Sequence, residues 1–327
     1  MNKEGAMMLL RREGVLAHVL GIAVFLFFSS QGVSAEKRTL RVFTNNSGIM
    51  IPVFKEFEKA HRGVEVAYET RAKGNELRNI MRLELANKRY FDVAVLNLNM
   101  DMADLVHEFK GKGFLPFRPR NIAAHALNEP EHYWTVIFTR RYALAYNTNA
   151  IQGRAPTFKD LMDGKYEFML DPQNYAWLEG LIQCLGQDAA KDFLRKLFAG
   201  KLLLRKGNSV IAMLVIAGEA PVGMTIDHIV ETFRKRGAPI AWNPDADPVI
   251  ANVSVAMLGQ GQNRDISKLF IEWLLSAEGQ NIIEEQGVAG VRRTAQGPTC
   301  LVAPQAVSPE KWKAVYDEYR KILNIIP

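Results

Sequence analysis

The sequence predicts an α/β protein, on three observations. Strand and helix patterns alternate as β-α-β-α-β over residues 39–96. The third of those strands, residues 92–96, is apolar after Asp92, as a parallel strand covered on both faces should be. A second α/β unit follows over residues 168–236, so the chain carries two such bodies.

A leader precedes them. Lys3, Arg11 and Arg12 place positive charge before an apolar run over residues 15–28, interrupted by His18 and Gly21. Val33, Ser34 and Ala35 then supply the small or short residues that a signal peptidase reads. Residues 1–35 are therefore expected to be a secretory signal peptide cleaved near Ala35. The run is about 14 residues, short of the roughly 20 that span a bilayer core, and an uncleaved anchor is the competing reading. No Cys follows the cleavage point, so no lipid anchor is expected there. A freely diffusing exported protein points to a periplasm closed by an outer membrane. Met7 and Met8 leave the start codon open.

Without the leader 292 residues remain, which suits two lobes of ordinary domain size. The mature chain has 38 basic and 33 acidic residues, a net charge of +5. That charge is modest and scattered, with no basic run of the kind that marks a nucleic-acid surface. Cys184 and Cys300 are the two cysteines. An oxidising compartment permits a disulfide between them, worth about 3–5 kcal/mol if unstrained. The alternative is a buried Cys184 and an unpaired Cys300, since spacing alone does not bring them together. Two cysteines so far apart make no zinc signature.

In order along the mature chain, residues 39–44 form a strand. Asn45, Asn46, Ser47 and Gly48 form a turn with capping chemistry. A helix over residues 49–61 sets Ile49, Val53, Phe54, Phe57 and Ala60 near one face. Residues 64–68 form a strand, residues 75–87 a helix with Leu77, Ile80, Met81 and Leu85 at helical spacing, and residues 92–96 the third strand. This order argues for a parallel sheet with helices on both faces. Strands over 133–138 and 142–146 flank Arg140-Arg141. A short helix covers 156–163, a strand 168–170, helices 175–186 and 189–198, and a strand 202–204. Asn208-Ser209 reads as the cap of a helix through Ala217, followed by a strand over 222–226 and a helix to about Arg236. A strand over 253–258, a loop over 259–263 and helices over 266–276, 278–286 and 309–323 complete the chain.

Several of these pieces resemble the periplasmic solute-binding proteins of ABC transporters, in the cluster that includes ferric-iron-binding proteins. They are Val53-Phe54-Lys55-Glu56-Phe57-Glu58, Gly74-Asn75-Glu76-Leu77, Phe91-Asp92-Val93-Ala94-Val95 and Ala145-Tyr146-Asn147-Thr148. Asn208-Ser209 with Gly218-Glu219-Ala220-Pro221-Val222-Gly223 is another, and the run from Phe270 to Gln280 matches the family's C-terminal helix pair. Their shared order covers nearly the whole mature chain. The resemblance implies a type II periplasmic-binding fold, with two lobes closing over a ligand cleft. Crossovers would lie near residues 142–146 and 249–253. The first lobe would combine residues 36–141 with 254–290, the second would span 142–253, and residues 291–327 stay unassigned to either. The resemblance also implies a monomer that hands its solute to an inner-membrane permease.

Ligands of open α/β sheets sit at the carboxyl ends of strands. Asn45, Asn46 and Ser47 lie at such an end, where a helix start favours anions; plain capping is the competing role of Ser47. Asn97 and Asn99 follow the third strand. Arg140 and Arg141 point to opposite faces, so one of them is expected to face the cleft and grip a carboxylate or phosphate. Asp171, Gln173 and Asn174 close another strand, and an Asp-Pro turn is the alternative for Asp171. Asn208 and Ser209 open a helix. Asp227-His228 follow the strand over 222–226, with helix capping as the alternative for Asp227. In the ferric relatives this neighbourhood carries adjacent iron-ligating tyrosines. Here the matching positions are approximately His228 and Ile229, and Ile cannot ligate iron.

The expected ligand is a small polar anion: a phosphorylated sugar, a phosphonate or an organic carboxylate. The alternatives are a ferric-iron-binding protein and a sensing subunit for a membrane histidine kinase. No G-x-S-x-G or H-E-x-x-H motif points to an enzyme, and no cofactor, metal or nucleic acid is expected.

Overall fold

The computed structural model describes residues 37–70, 75–97, 100–121, 130–248, 250–291, 300–302 and 309–323. The expected leader and Asn99 lie outside the described residues. The chain opens with β1 (Arg38–Thr44), α1 (Ser47–Ala60), β2 (Val64–Thr70), α2 (Asn75–Ala86) and β3 (Val93–Asn97). β1 pairs in parallel with both β2 and β3. α1 buries Ile49, Met50, Val53, Phe54 and Phe57, the apolar stripe its spacing demands. Two elements without a strong local pattern follow, α3 (Met100–Glu108) and β4 (Phe114–Leu115).

β5 (Thr135–Asn147) corrects an expectation. Two strands broken at Arg140-Arg141 are expected from the pattern, and one strand of 13 residues is found. The reason is a change of partner rather than of direction. Residues 135–141 pair antiparallel with β10 (Ile250–Gly259), and residues 142–147 pair antiparallel with β8 (Val222–Ile226) and β9 (Ile240–Asn243). β10 likewise starts three residues before the expected strand.

Between these lie α4 (Phe158–Met162), β6 (Glu167–Leu170), α5 (Tyr175–Leu185), α6 (Gln187–Phe198), β7 (Lys201–Leu204), α7 (Asn208–Ala217) and α8 (Asp227–Lys235). After β10 come α9 (Arg264–Leu274), α10 (Ala277–Glu285), β11 (Ala289–Gly290), β12 (Cys300–Val302) and α11 (Pro309–Ile322). Ser276 separates α9 from α10. Its hydroxyl accepts from the Gly279 N–H at 3.1 Å, satisfying one of the free donors of a helix start. A β-carbon at Gly279 would run into the Trp273 carbonyl, so the tight corner requires glycine.

The strand order is β2-β1-β3-β10-β5-β8-β6-β7. The sheet is therefore mixed: β10 runs antiparallel to β3, and β5 antiparallel to β8. Its apolar interior falls into separate bodies. One gathers Phe57, Met81, Val95, Phe114 and Phe138 with Val255, Phe270 and Ile283. The others contain Leu144, Phe168, Trp177 and Leu194 on one face, and Ala143, Ile211, Val215 and Val230 on the other. β5 and β10 contribute to both regions.

α11 packs on the body around Trp177, with Tyr319 almost wholly buried there. Cys184 of α5 and Cys300 of β12 are joined by a disulfide, their α-carbons 6.1 Å apart. β12 in turn pairs in parallel with residues 250–252 of β10. Among the described residues no helix is long and apolar enough to cross a membrane.

Candidate ligand cleft

The sheet brings the carboxyl ends of β1, β3, β6 and β8 to the level where β5 and β10 change partners. On the β1 side, Asn46 precedes the first helical residue, Ser47. The Asn46 carbonyl accepts the N–H groups of Ile49 and Met50, and no side chain caps α1. Ser47 therefore does not serve as the cap. Asn46 is 4% exposed, yet neither polar atom of its amide has a partner among the described residues. Asn45 is committed to the scaffold: its Oδ1 accepts from the Asn97 N–H at 3.0 Å. Asn97 Oδ1 accepts from the Ser254 hydroxyl at 2.8 Å, tying β3 to β10.

On the β6 side, the Asp171 carboxylate accepts from the Gln173 N–H at 2.9 Å and from the Gly207 N–H at 2.8 Å. It thus makes the turn contact that an Asp at this place favours and also fixes the loop before α7. Asn174 Nδ2 donates to Asn208 Oδ1 at 3.3 Å, linking the starts of α5 and α7. Asn208 is the first helical residue of α7 and not its cap. Gly207 is the cap, at φ +94°, a conformation that only glycine adopts without strain. The Asn208 carbonyl accepts from the Thr225 hydroxyl at 2.7 Å, and Ser209 is exposed.

The two arginines have unlike surroundings. Arg141 Nε lies 3.3 Å from Asp227 Oδ2, and its guanidinium sits 4.6 Å above the ring centre of Trp242. The indole N–H of Trp242 donates to Glu231 Oε1 at 3.0 Å. Asp227 is the first residue of α8; its Oδ1 accepts from the His228 N–H at 2.8 Å, and Ile226 holds the cap position. Burial pushes the Asp227 carboxyl above the usual range, against the pull of Arg141.

Arg140 has no such partner. Its Nε is enclosed without an acceptor among the described residues, and burial lowers its guanidinium from the ordinary value. Tyr142 and Asp227 oppose that shift at a distance without pairing with it. His228 is pushed down to about 3, first by burial and then by the Arg140 charge, and its Nδ1 is also enclosed without a partner among the described residues. A β-carbon at Gly287 would lie 3.7 Å from His228 Cβ, so the start of α8 touches the segment between α10 and β11. Among the described residues no group of three or more His, Cys, Asp or Glu side chains could hold a metal ion.

Sequence reasoning passes over Trp242, Ser254 and Thr225. Trp242 lies in a strand of four residues, too short to show a period, with Pro239 and Pro244 just outside it as its only punctuation.

Residues 43–281 match the family described as bacterial extracellular solute-binding proteins. The chain belongs to this family. The solute-binding protein is 26% identical over 203 residues to an uncharacterized protein of Haemophilus influenzae, covering 58% of each chain. It thus spans about 58% of that relative's length. Its fold is similar to iron-bound HitA from Pseudomonas aeruginosa, with a TM-score of 0.65, 20% identity and coverage of 87% of this chain and 99% of that one. It is also similar to the periplasmic binding protein AfuA from Actinobacillus pleuropneumoniae with fructose-6-phosphate bound. There the TM-score is 0.64 and the identity 17%, over 89% of this chain and all of that one. The solute-binding protein therefore has the two-lobed type II periplasmic-binding fold.

Proposed function

We propose that this solute-binding protein is the periplasmic receptor of an ABC importer and takes a small anionic solute in the cleft between its lobes. Arg140 carries the reading. A half-buried guanidinium whose Nε has no acceptor among the described residues is costly, and an anionic ligand is the partner that would offset the cost. Its planar fork suits a carboxylate or a phosphate. His228, which feels the Arg140 charge, and Asn46 just past the end of β1 hold enclosed polar atoms that a ligand could meet. Asn45, Ser47 and Asn97 would line the first lobe, and Asp171, Asn174, Asn208 and Ser209 the second. Asp227 anchors Arg141 in this reading and leaves the anionic end to Arg140.

The lobes are read as residues 36–141 with 254–290, and 142–253, with α11 joined to the second. Phosphorylated sugars, phosphonates and organic carboxylates all fit the anion reading. Delivery would be to an inner-membrane permease, by a monomer freed from its leader.

The test is a thermal-shift screen with fructose 6-phosphate, a phosphonate, a dicarboxylate and Fe(III). A ligand at about 100 times its dissociation constant should add about 2.7 kcal/mol of stability. Arg140→Ala should weaken the responding anion tenfold or more, about 1.5–3 kcal/mol, by calorimetry. A response to Fe(III) alone would overturn the proposal in favour of iron binding.

A further inference from the structure

Asp227 is bonded to Arg141 and acts on Arg140 only through its charge, so its carboxylate neutralises one arginine well. Asp227 lies at the start of α8, where its field reaches both Arg140 and Arg141. It is bonded to Arg141. Arg141 is held in place by more than that bond, because its guanidinium carbon lies 4.6 Å from the ring centre of Trp242 and the Trp242 indole N–H donates to Glu231. Glu231 belongs to the same helix as Asp227, so α8, β9 and β5 form a closed frame around the Arg141 head group. A cation over an indole face is attracted by the ring, which favours Arg141 as the partner of the carboxylate.

We infer that Arg141 and Trp242 are positioning residues that hold the Asp227 carboxylate away from Arg140, and so keep Arg140 uncompensated for an anionic solute. Asp227 is in this sense an internal competitor of the ligand. When the Arg141–Trp242 frame is intact, the competitor is occupied. When it is broken, Asp227 turns to Arg140 and occupies the cation that the solute needs. The inference rests on the anion-binding proposal for its consequence in affinity, but its charge arrangement exists without any ligand.

The experiment has two arms on the mature protein. In the first, affinity for fructose 6-phosphate and for inorganic phosphate is measured by calorimetry. Arg141→Gln and Trp242→Ala should each weaken binding about tenfold, the scale of one charge-assisted hydrogen bond. Trp242→Phe, which keeps an aromatic face, should weaken it less. Adding Asp227→Asn to Arg141→Gln should restore most of the loss, because the competitor is then neutral. A residue with only a structural role would show no such rescue, and a double variant as weak as Arg141→Gln alone overturns the inference.

The second arm needs no ligand. Arg140→Gln removes a half-buried cation that has no ion-pair partner among the described residues in the wild type, and should raise the urea midpoint. In the Arg141→Gln background the same change breaks a new Arg140–Asp227 pair and should lower it. The same sign in both backgrounds overturns the inference. Absence of binding by either anion to the wild type would count against the anion proposal while the sign comparison still decides this one.

Discussion

The Tyr316 hydroxyl donates to Glu179 Oε1 at 2.5 Å, so the last helix of the chain supplies a donor to a carboxylate-bearing residue that is 1% exposed. The two rings beside this bond, Tyr175 and Tyr316, have centroids 4.3 Å apart, and Arg320 donates to the Tyr175 hydroxyl at 3.2 Å. α11 is thus fastened through polar contacts as well as by burial of Tyr319. Tyr316→Phe keeps the ring and removes the donor. It should lower the stability measured by urea unfolding by about 1–3 kcal/mol, the cost of removing a partner from a buried carboxylate. An unchanged midpoint would mean that the hydroxyl contributes nothing there.

The Cys184–Cys300 bond closes a loop of 116 residues. Loop-closure entropy puts its contribution at about 4–5 kcal/mol, and native disulfides of this kind are worth about 2–5 kcal/mol in practice. A variant with both Cys184→Ser and Cys300→Ser should therefore lose that stability in urea. Reductant should lower the melting temperature of the wild type and leave the double variant unmoved. Equal sensitivity of the two proteins would place the redox effect elsewhere.

His228 gives the protein a pH dependence with a defined sign. Its folded pKa is pushed down to about 3, whereas an unfolded His titrates near 6.5. Between those values the unfolded chain binds the extra proton, so stability falls as the pH is lowered through 6.5 and is fully present only above it. At pH 5 the expected loss is about 2 kcal/mol. His228→Gln should flatten the drop in urea midpoint between pH 7 and pH 5. Parallel drops in the two proteins would remove His228 as the cause.

Asp160 acts with the opposite chemistry but in the same direction. Burial by itself would raise its carboxyl, but bonds from the Thr157 hydroxyl, Arg154 and the Thr157 N–H outweigh burial and hold it well below the usual carboxylate range. The Thr157 side chain caps α4 in return, completing a reciprocal capping box. Its contribution is present above about pH 4 and is lost as the pH falls through the depressed folded value. Asp160→Asn should cost about 1–2 kcal/mol at pH 7, with the difference from wild type shrinking in acid. A gap that stays constant down to low pH would rule out the ionised carboxylate as its source.

Much of the architecture was legible because it is local. The stripes of α1 and α2, the apolar β3 and the helix pair α9–α10 follow from spacing alone, and their bounds fall within about two residues of expectation. What escaped was non-local. The continuity of β5 depends on partners more than 70 residues away, so the polar pair Arg140-Arg141 read as a break. Strands as short as β4, β9, β11 and β12 carry too few residues for a period. At the candidate site, the strand-end asparagines and the Asp227-His228 pair were found from their position after strands. The pairing of Asp227 with Arg141 was not, because it joins α8 to a strand 86 residues earlier, and Trp242 over Arg141 is marked by no motif.

The placement of β10 between β3 and β5 has a consequence for a nascent chain delivered N-terminus first. Strands β5 to β9 form a contiguous stretch that can collapse as soon as residue 243 has emerged. The opening βαβαβ segment, though made earlier, must wait for β10 to cover the edge of β3. β12 and α11 then arrive last. The middle of this polypeptide can therefore begin to collapse before its beginning pairs with β10, yet it is completed last, by Cys300 and Tyr319, and the open edge of β3 is the surface that a holding chaperone would have most reason to guard.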